Sequence, residues 1–265
     1  MIFGLVVYNM QIKQNGVWEF PPEGIQWKQN GVWETGVIEW VLATDDDFSG
    51  TSDGSFRYIG TDRYVEIPHV IKGVNVTSYL NMFRDTSVKG VKSTNKNVTD
   101  MRYMFMGSQA TRLDLSNFDT SSVTNMNGVF IDSQATSLDL SNFDTSNATN
   151  MGNMFQRSQA TSLDLSNFDT SNVTNMSSMF RDSQAASLNL SSFDTSSVTN
   201  MAWMFFSSQA ISLDLSSFDT SGVTDTGNMF RNSQATIGYA RTQADADKFN
   251  GSSNKPAELT FIVKD

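Results

Sequence analysis

Residues 163–180 read LDLSNFDTSNVTNMSSMF, and near copies of this stretch recur along the chain. Between residues 113 and 235 the copies follow one another at a strict period of 25 residues, with earlier and less regular copies at 76–83 and 98–105. A fixed period of this length is typical of solenoids, in which each repeat forms one coil that stacks on its neighbours. The pattern predicts seven coils.

Each copy combines two spacings. Leu163 and Leu165 alternate with Asp164, which predicts a short strand that buries the leucines and exposes the aspartate. Four apolar residues then fit one face of a helical turn: Val173, Met176, Met179 and Phe180. A single coil cannot bury these side chains alone, so stacking supplies the missing neighbour.

The chain divides into four predicted parts. Residues 1–42 contain two copies of a KQNGVWE sequence, each with Asn-Gly between strand-like flanks, which predicts a small all-β module with two hairpins. Residues 43–73 are predicted as a linker and N-terminal β cap, and residues 74–235 as the solenoid. The change of composition at 236–265 predicts a C-terminal cap with a short helix and a strand.

The recurring LDLSNFDTSNVTNMSSMF resembles the BspA-type leucine-rich repeat of bacterial surface proteins over about residues 56–265. The resemblance implies a right-handed leucine-rich-repeat-like solenoid with parallel strands on one face. It also implies binding to host or neighbouring-cell surfaces without catalysis. Repeats of this type occur in prophage-encoded proteins as well, and the tandem KQNGVWE units resemble small modules of phage structural proteins.

Composition excludes several classes of function. The net charge is −10 and the pI is near 4.5, which argues against nucleic acid and anionic membrane as partners. The chain has no cysteine, which excludes thiol catalysis, and its single histidine, His69, excludes a multi-histidine metal site. No apolar run approaches the ~18 residues of a membrane helix. The N-terminal apolar stretch lacks the features of a signal peptide.

Two rows of aspartates recur with the repeat. The first row occupies the exposed strand position and is interrupted by Asn189: Asp114, Asp139, Asp164 and Asp214. Stacked carboxylates could hold a cation or a sugar, or imitate a glycosidase pair. Because this exposed position recurs in every full coil, a structural role is favoured over a single active site. The second row is Asp119, Asp144, Asp169, Asp194 and Asp219, where helix capping and loop hydrogen bonds are favoured over a calcium ladder.

An incomplete calcium-loop spacing lies near the N-terminus, at Asp45, Asp47, Ser49 and Asp53. Phe56 stands at the position where such a loop needs a bidentate glutamate. No metal site and no cofactor are therefore predicted.

Trp203 and Phe206 depart most from the repeat. Polar or small residues hold the first position in neighbouring full-length coils, and Gln156, Arg181 and Arg231 are among those at the second. Two aromatics three residues apart could form a contact patch or pack against a neighbouring segment. We take them as binding candidates together with the first aspartate row.

These observations predict a non-enzymatic structural or binding protein. The first expectation is a phage virion component, part of a tail, baseplate or head fibre, that contacts the bacterial surface. The alternative is a BspA-type adhesin at the bacterial surface or outside the cell, and a carbohydrate-cleaving enzyme is the third class. The expected partners are other virion or surface-assembly proteins, through residues 1–42, and a surface polysaccharide or protein. A homo-oligomer is left open.

Overall fold

The computed structural model describes residues 12–14, 17–19, 25–29, 32–36, 40–50 and 55–264. Near the N-terminus, strand β1 (Ile12–Gln14) pairs antiparallel with β2 (Val17–Glu19), and β3 (Ile25–Gln29) pairs antiparallel with β4 (Val32–Gly36). Each pair flanks one of the two Asn-Gly sequences.

Fourteen further strands and one α-helix follow in the described residues. In chain order they are β5 (Val41–Leu42), β6 (Phe48–Gly50), β7 (Phe56–Tyr58), β8 (Tyr64–Glu66), β9 (Val70–Ile71), β10 (Val74–Asn75), β11 (Gly90–Lys92), β12 (Arg112–Leu113), β13 (Ser137–Leu138), β14 (Ser162–Asp164), β15 (Ser187–Asn189), β16 (Ser212–Leu215), β17 (Ile237–Ala240), α1 (Gln243–Asn250) and β18 (Thr260–Val263). A 3₁₀ turn covers Asp45–Asp47. Strands β6 and β7, and β9 and β10, form antiparallel pairs.

The other strands stack in parallel and build a β-solenoid of about nine turns. The stack runs from β5 through β8 and β11 to β18. Its register follows the repeat, since Leu163 pairs with Leu188 and Asp164 with Asn189. The predicted repeat solenoid is confirmed, and the parallel pairing also reaches into the segments on both sides of 74–235.

The strand alternation is confirmed as well. Leu163 and Leu165 are buried, whereas Asp164 between them is exposed. Phe168 is also buried and joins the same continuous hydrophobic core. The LDLSNF part of the 163–168 copy therefore places its apolar side chains inside the solenoid, and the first leucines of two other copies, Leu138 and Leu188, are partly buried against the same core.

The segment predicted as a helical turn forms β-turns instead. The N–H of Met176 donates to the carbonyl of Asn200 in the next coil at 3.0 Å, and that of Phe180 donates to Met204 at 2.9 Å. An α-helix would direct both to carbonyls four residues earlier in the same coil. The Met179 N–H closes a turn onto the Met176 carbonyl at 3.3 Å. The apolar stripe is nevertheless fully buried, because successive turns aim its side chains inward.

A column of phenylalanines runs through the core. Its members are Phe83, Phe105, Phe130, Phe155, Phe180, Phe205 and Phe230. Successive rings are nearly parallel, with centroids 5.6–5.9 Å apart. Tilted or perpendicular rings end the column, Tyr58 at one end and Phe249 with Phe261 at the other. The column is thus enclosed at both ends by aromatic side chains.

Helix α1 closes the C-terminal end of the solenoid. Its side chains bind polar groups that in regular coils would contact the following coil. In regular coils a buried threonine, such as Thr170, donates to a carbonyl of the following coil at 2.8 Å. Thr220 has no such coil above it and donates to the buried carboxylate of Asp245 at 2.7 Å. Lys248 covers two further carbonyls, those of Thr220 and Val223, each at 2.8 Å.

Within the described residues, no helix has the length and hydropathy needed to cross a lipid bilayer.

Candidate functional site

The β-turns after each strand form one long edge of the solenoid. We call this surface the Met-Phe edge; it consists of residues 101–107, 126–132, 151–157, 176–182, 201–207 and 226–232. Its methionines and phenylalanines are mostly buried, while the residues between them face outward. Equivalent side chains of successive coils are neighbours here, because the coils are joined by backbone hydrogen bonds in register.

Trp203 and Phe206 lie together on this edge. Both are half-buried, and their ring centroids are 5.0 Å apart with planes inclined by 53°. They are therefore neither core residues nor fully exposed ones. Packing against neighbouring side chains therefore accounts for part of each residue's surface, and the contact patch stays a prediction.

Two arginines from the adjacent coils flank the aromatic pair. The Arg181 guanidinium lies 5.1 Å from the Trp203 ring centroid and 5.0 Å from that of Phe206. The Arg231 guanidinium lies 6.0 Å from the Phe206 centroid. These distances are within the range of cation–π attraction. We call this group of four residues the aromatic–arginine cluster.

Trp203 adopts a backbone conformation that bulky residues rarely take. Its φ is +62°, in the left-handed region. The equivalent positions hold Tyr103, Gly128, Asn153, Ser178 and Asn228, with φ between +52° and +67°. Glycine and asparagine tolerate this region, whereas other residues pay about 1–2 kcal/mol. The left-handed conformation therefore belongs to the repeat itself, and the bulky side chain at Trp203 is accommodated in it at some cost.

Charge is segregated between the surfaces of the solenoid. From residue 113 to residue 240 the sequence contains no lysine and three arginines, Arg157, Arg181 and Arg231, all on the Met-Phe edge. Ten of the twelve aspartates in this range lie outside that edge. The aromatic–arginine cluster is therefore a cationic region on an otherwise acidic solenoid.

The first aspartate row does not form an isolated acidic site. Each carboxylate accepts a hydrogen bond from the backbone of the serine two residues later, as Asp164 does from Ser166 at 3.1 Å. Asp164 also accepts from the Asn189 amide at 3.0 Å, and Asp214 forms an ion pair with Lys264 at 2.5 Å. These turns explain why the row recurs, and a ligand role for it stays a prediction.

The second row makes the same local turns. Asp169 accepts from the Ser171 N–H at 3.0 Å and from its hydroxyl at 2.7 Å. The loop hydrogen bonding favoured from the sequence is therefore present at Asp169. The helix-capping part of that interpretation is wrong, because β-turns follow these aspartates.

Hydrogen bonding to the ionised form lowers the pKa of several of these carboxyls. At Asp139 and Asp164 the cause is the hydrogen bonds from the serine two residues later. A carboxyl whose pKa is lower in the folded chain than in the unfolded chain stabilises the fold while it is ionised. That contribution is complete above the unfolded pKa of about 3.9 and is lost as pH falls through the folded pKa.

We therefore expect the solenoid to lose stability between about pH 5 and pH 3. The double variant Asp139→Asn, Asp164→Asn should be about as stable as the parent at pH 7, because Asn189 already makes the same turn in a neighbouring coil. Its loss between the two pH values should be smaller. Urea unfolding midpoints at pH 7, 5 and 3 measure this, and identical pH profiles for parent and variant would contradict the assignment.

The N-terminal calcium-loop residues are engaged elsewhere or lie outside the described part. Asp45 accepts from the Lys72 N–H at 2.6 Å, and Asp47 accepts from the N–H and hydroxyl of Thr44. Asp53 is outside the described residues, so the complete loop is not tested. His69 is exposed and lies 3.3 Å from the Thr94 hydroxyl.

Sequence reasoning found the aromatic pair and missed its arginines. Arg181 and Arg231 appeared only as the residues that replace Phe206 in other coils. Each of these arginines directly follows a Met-Phe pair of its coil, and this was visible in the sequence. The contact with the rings was not, because it depends on which coils are adjacent.

Comparison with known proteins gives one family. The family described as "Mycoplasma protein of unknown function, DUF285" matches residues 75–187 and 158–248. Together the two matches span 75–248, about two thirds of the chain. No curated protein and no solved structure matches it.

Proposed function

Because this chain belongs to the DUF285 family and folds as a solenoid, we propose that it is a non-enzymatic binding protein of the bacterial surface. The family match and the fold suggest a surface or binding repeat protein, and both are compatible with the BspA-type resemblance. We further propose that contact occurs at the aromatic–arginine cluster.

One observation carries this proposal. Trp203 and Phe206 place two aromatic rings in contact on a surface where the equivalent positions of the neighbouring coils hold mostly small or polar residues. Half-buried aromatic side chains are frequent anchors of binding interfaces. The aspartate rows, in contrast, repeat along the solenoid and have local partners. A contact at one place on the solenoid is better explained by the aromatic pair, which occurs once, than by aspartates that recur.

The setting proposed here is the bacterial surface. The virion component expected first was based on the tandem KQNGVWE units and on prophage occurrence, and the family match adds no support for it. Purification distinguishes the two settings. A surface protein should copurify with the cell envelope, whereas a virion protein should copurify with phage particles. Absence from the envelope fraction would contradict the proposed setting.

The double variant Trp203→Asn, Phe206→Gln tests the contact site. It copies Asn153 and Gln156 from an existing coil, so we expect an intact fold. Loss of an aromatic anchor costs roughly 2 kcal/mol, so affinity should fall about 30-fold or more. Binding to isolated bacterial cell envelopes, measured by co-sedimentation across protein concentrations, provides the readout.

A matched control changes the other candidate site, the first aspartate row. Asp139→Asn with Asp164→Asn changes two exposed residues of the first aspartate row and should leave envelope binding unchanged. Circular dichroism and the melting temperature check that both variants are folded. Unchanged affinity of the aromatic variant, with its fold intact, would remove the cluster as the contact site.

A further inference from the structure

Arginine side chains already cover part of the ring faces of Trp203 and Phe206. Arg181 approaches both rings at 5.0–5.1 Å, and Arg231 approaches Phe206 from the following coil. Neutral sugars commonly stack on bare aromatic faces, and little uncovered ring surface remains here. A guanidinium that stacks on a ring keeps the N–H groups along its edge available, and these suit carboxylate and phosphate oxygens.

The donors of the two clustered arginines are poorly satisfied. Within residues 40–50 and 55–264, the Arg231 guanidinium makes neither a hydrogen bond nor an ion pair, and the residue is exposed. Among the described residues, Arg181 has a single polar contact, of 3.3 Å from Nε to Asp182. Arg157, on the same edge, is held by two hydrogen bonds to Asp132 at 2.6 and 2.8 Å. The guanidinium of Arg157 is therefore paired with a carboxylate by two hydrogen bonds, whereas that of Arg231 is unpaired in the described part of the chain.

The size of the cluster restricts its partner. It extends across three coils, and neighbouring strands are about 4.8 Å apart, so it is roughly 10 Å wide. A stable protein partner needs about 800 Å² on each side, much more than four side chains provide. One or two sugar units of a polymer fit this width. The repeat-breaking surface thus suits a polysaccharide better than a folded protein.

We propose that the aromatic–arginine cluster binds an anionic polysaccharide, with Arg231 and Arg181 donating to its carboxylate or phosphate groups. Trp203 and Phe206 hold the guanidinium groups in place and contact the sugar rings with their exposed edges. The acidic remainder of the solenoid repels the same polymer and confines it to the Met-Phe edge. This inference rests on the proposed function and names the ligand class of the same site.

Calorimetric titration with defined oligomers tests the proposal. Hexagalacturonate supplies carboxylates, a glycerol-phosphate hexamer supplies phosphates, and maltohexaose is the neutral probe. At least one anionic oligomer should bind, and at least tenfold more tightly than maltohexaose. Which of the two binds identifies the anion. The affinity should fall as NaCl rises from 50 to 300 mM, since exposed charges are screened by salt.

Two single substitutions provide a matched comparison, because each removes one positive charge from the same edge. Arg231→Gln should weaken binding of the anionic oligomer at least fivefold. Arg157→Gln should change it less than twofold, because that guanidinium is occupied by Asp132. Equal losses in both variants, equal binding of maltohexaose, or no binding of either anionic oligomer would overturn the proposal. Tighter binding of a deca-aspartate peptide would also overturn it in favour of an acidic protein segment.

Failure of this inference is distinguishable from failure of the proposed function. If the aromatic double variant loses envelope binding while the anionic oligomers do not bind, the contact site stands and its ligand class is wrong. If that variant binds envelopes normally, the contact site itself is wrong, whatever the oligomers do.

Discussion

Leu165→Asp should destabilise the solenoid by about 3–5 kcal/mol at pH 7. Leu165 is completely buried, and its neighbours in the core are apolar. The new carboxylate would have no partner, so it would either remain charged at high cost or become protonated. For that reason the loss should shrink as pH falls. Urea unfolding at pH 7 and pH 5 measures both effects.

A pair of controls separates charge from shape in this experiment. Leu165→Met keeps the approximate volume and should cost less than about 1.5 kcal/mol. Asp164→Ala, one residue away on the exposed face, should have a much smaller effect than Leu165→Asp. If Leu165→Asp were as stable as the parent, the assignment of the inward-facing strand positions would be incorrect.

Phe155→Ala should cost about 3–5 kcal/mol. The Phe155 ring is fully buried and stacks between Phe130 and Phe180, with centroid distances of 5.6 and 5.8 Å. Each coil contacts only its neighbours, so a cavity at this point weakens the connection between the two halves of the solenoid. The free energy of unfolding should fall, and the unfolding transition should broaden because the halves lose cooperativity.

Phe155→Leu is the appropriate control for the column. It keeps most of the apolar volume and removes only the ring stacking, so its cost should be clearly smaller than that of alanine. Calorimetric unfolding of the two variants gives the comparison. A loss below 1 kcal/mol for Phe155→Ala would show that the column does not connect the coils.

The coil architecture was predictable because the sequence repeats it. Alternation across Leu163, Asp164 and Leu165 defined the strand, and the 25-residue period defined which residues stack. The predicted helical turn, in contrast, was wrong. A spacing of three residues between Val173, Met176 and Met179 fits a helix as well as successive β-turns. The choice depends on hydrogen bonds to the next coil, which a local pattern does not contain.

The candidate site was predictable in part for the same reason. Trp203 and Phe206 were visible because they interrupt a repeat, and no knowledge of the fold was required. The arginines that contact their rings lie 22–25 residues away in sequence and are neighbours only after stacking. The capping role of Asp245 was hidden likewise, since it becomes clear only when Thr220 is seen without a following coil.

The central claim is that the recurring residues pack the solenoid and that binding uses the residues that break the repeat. Hydrogen–deuterium exchange on the protein, free and bound to isolated cell envelopes, tests it most directly. We expect added protection in peptides covering 176–182, 201–207 and 226–232, with little change along the strand face. Protection centred on Asp114, Asp139, Asp164 and Asp214, with none on the Met-Phe edge, would contradict it.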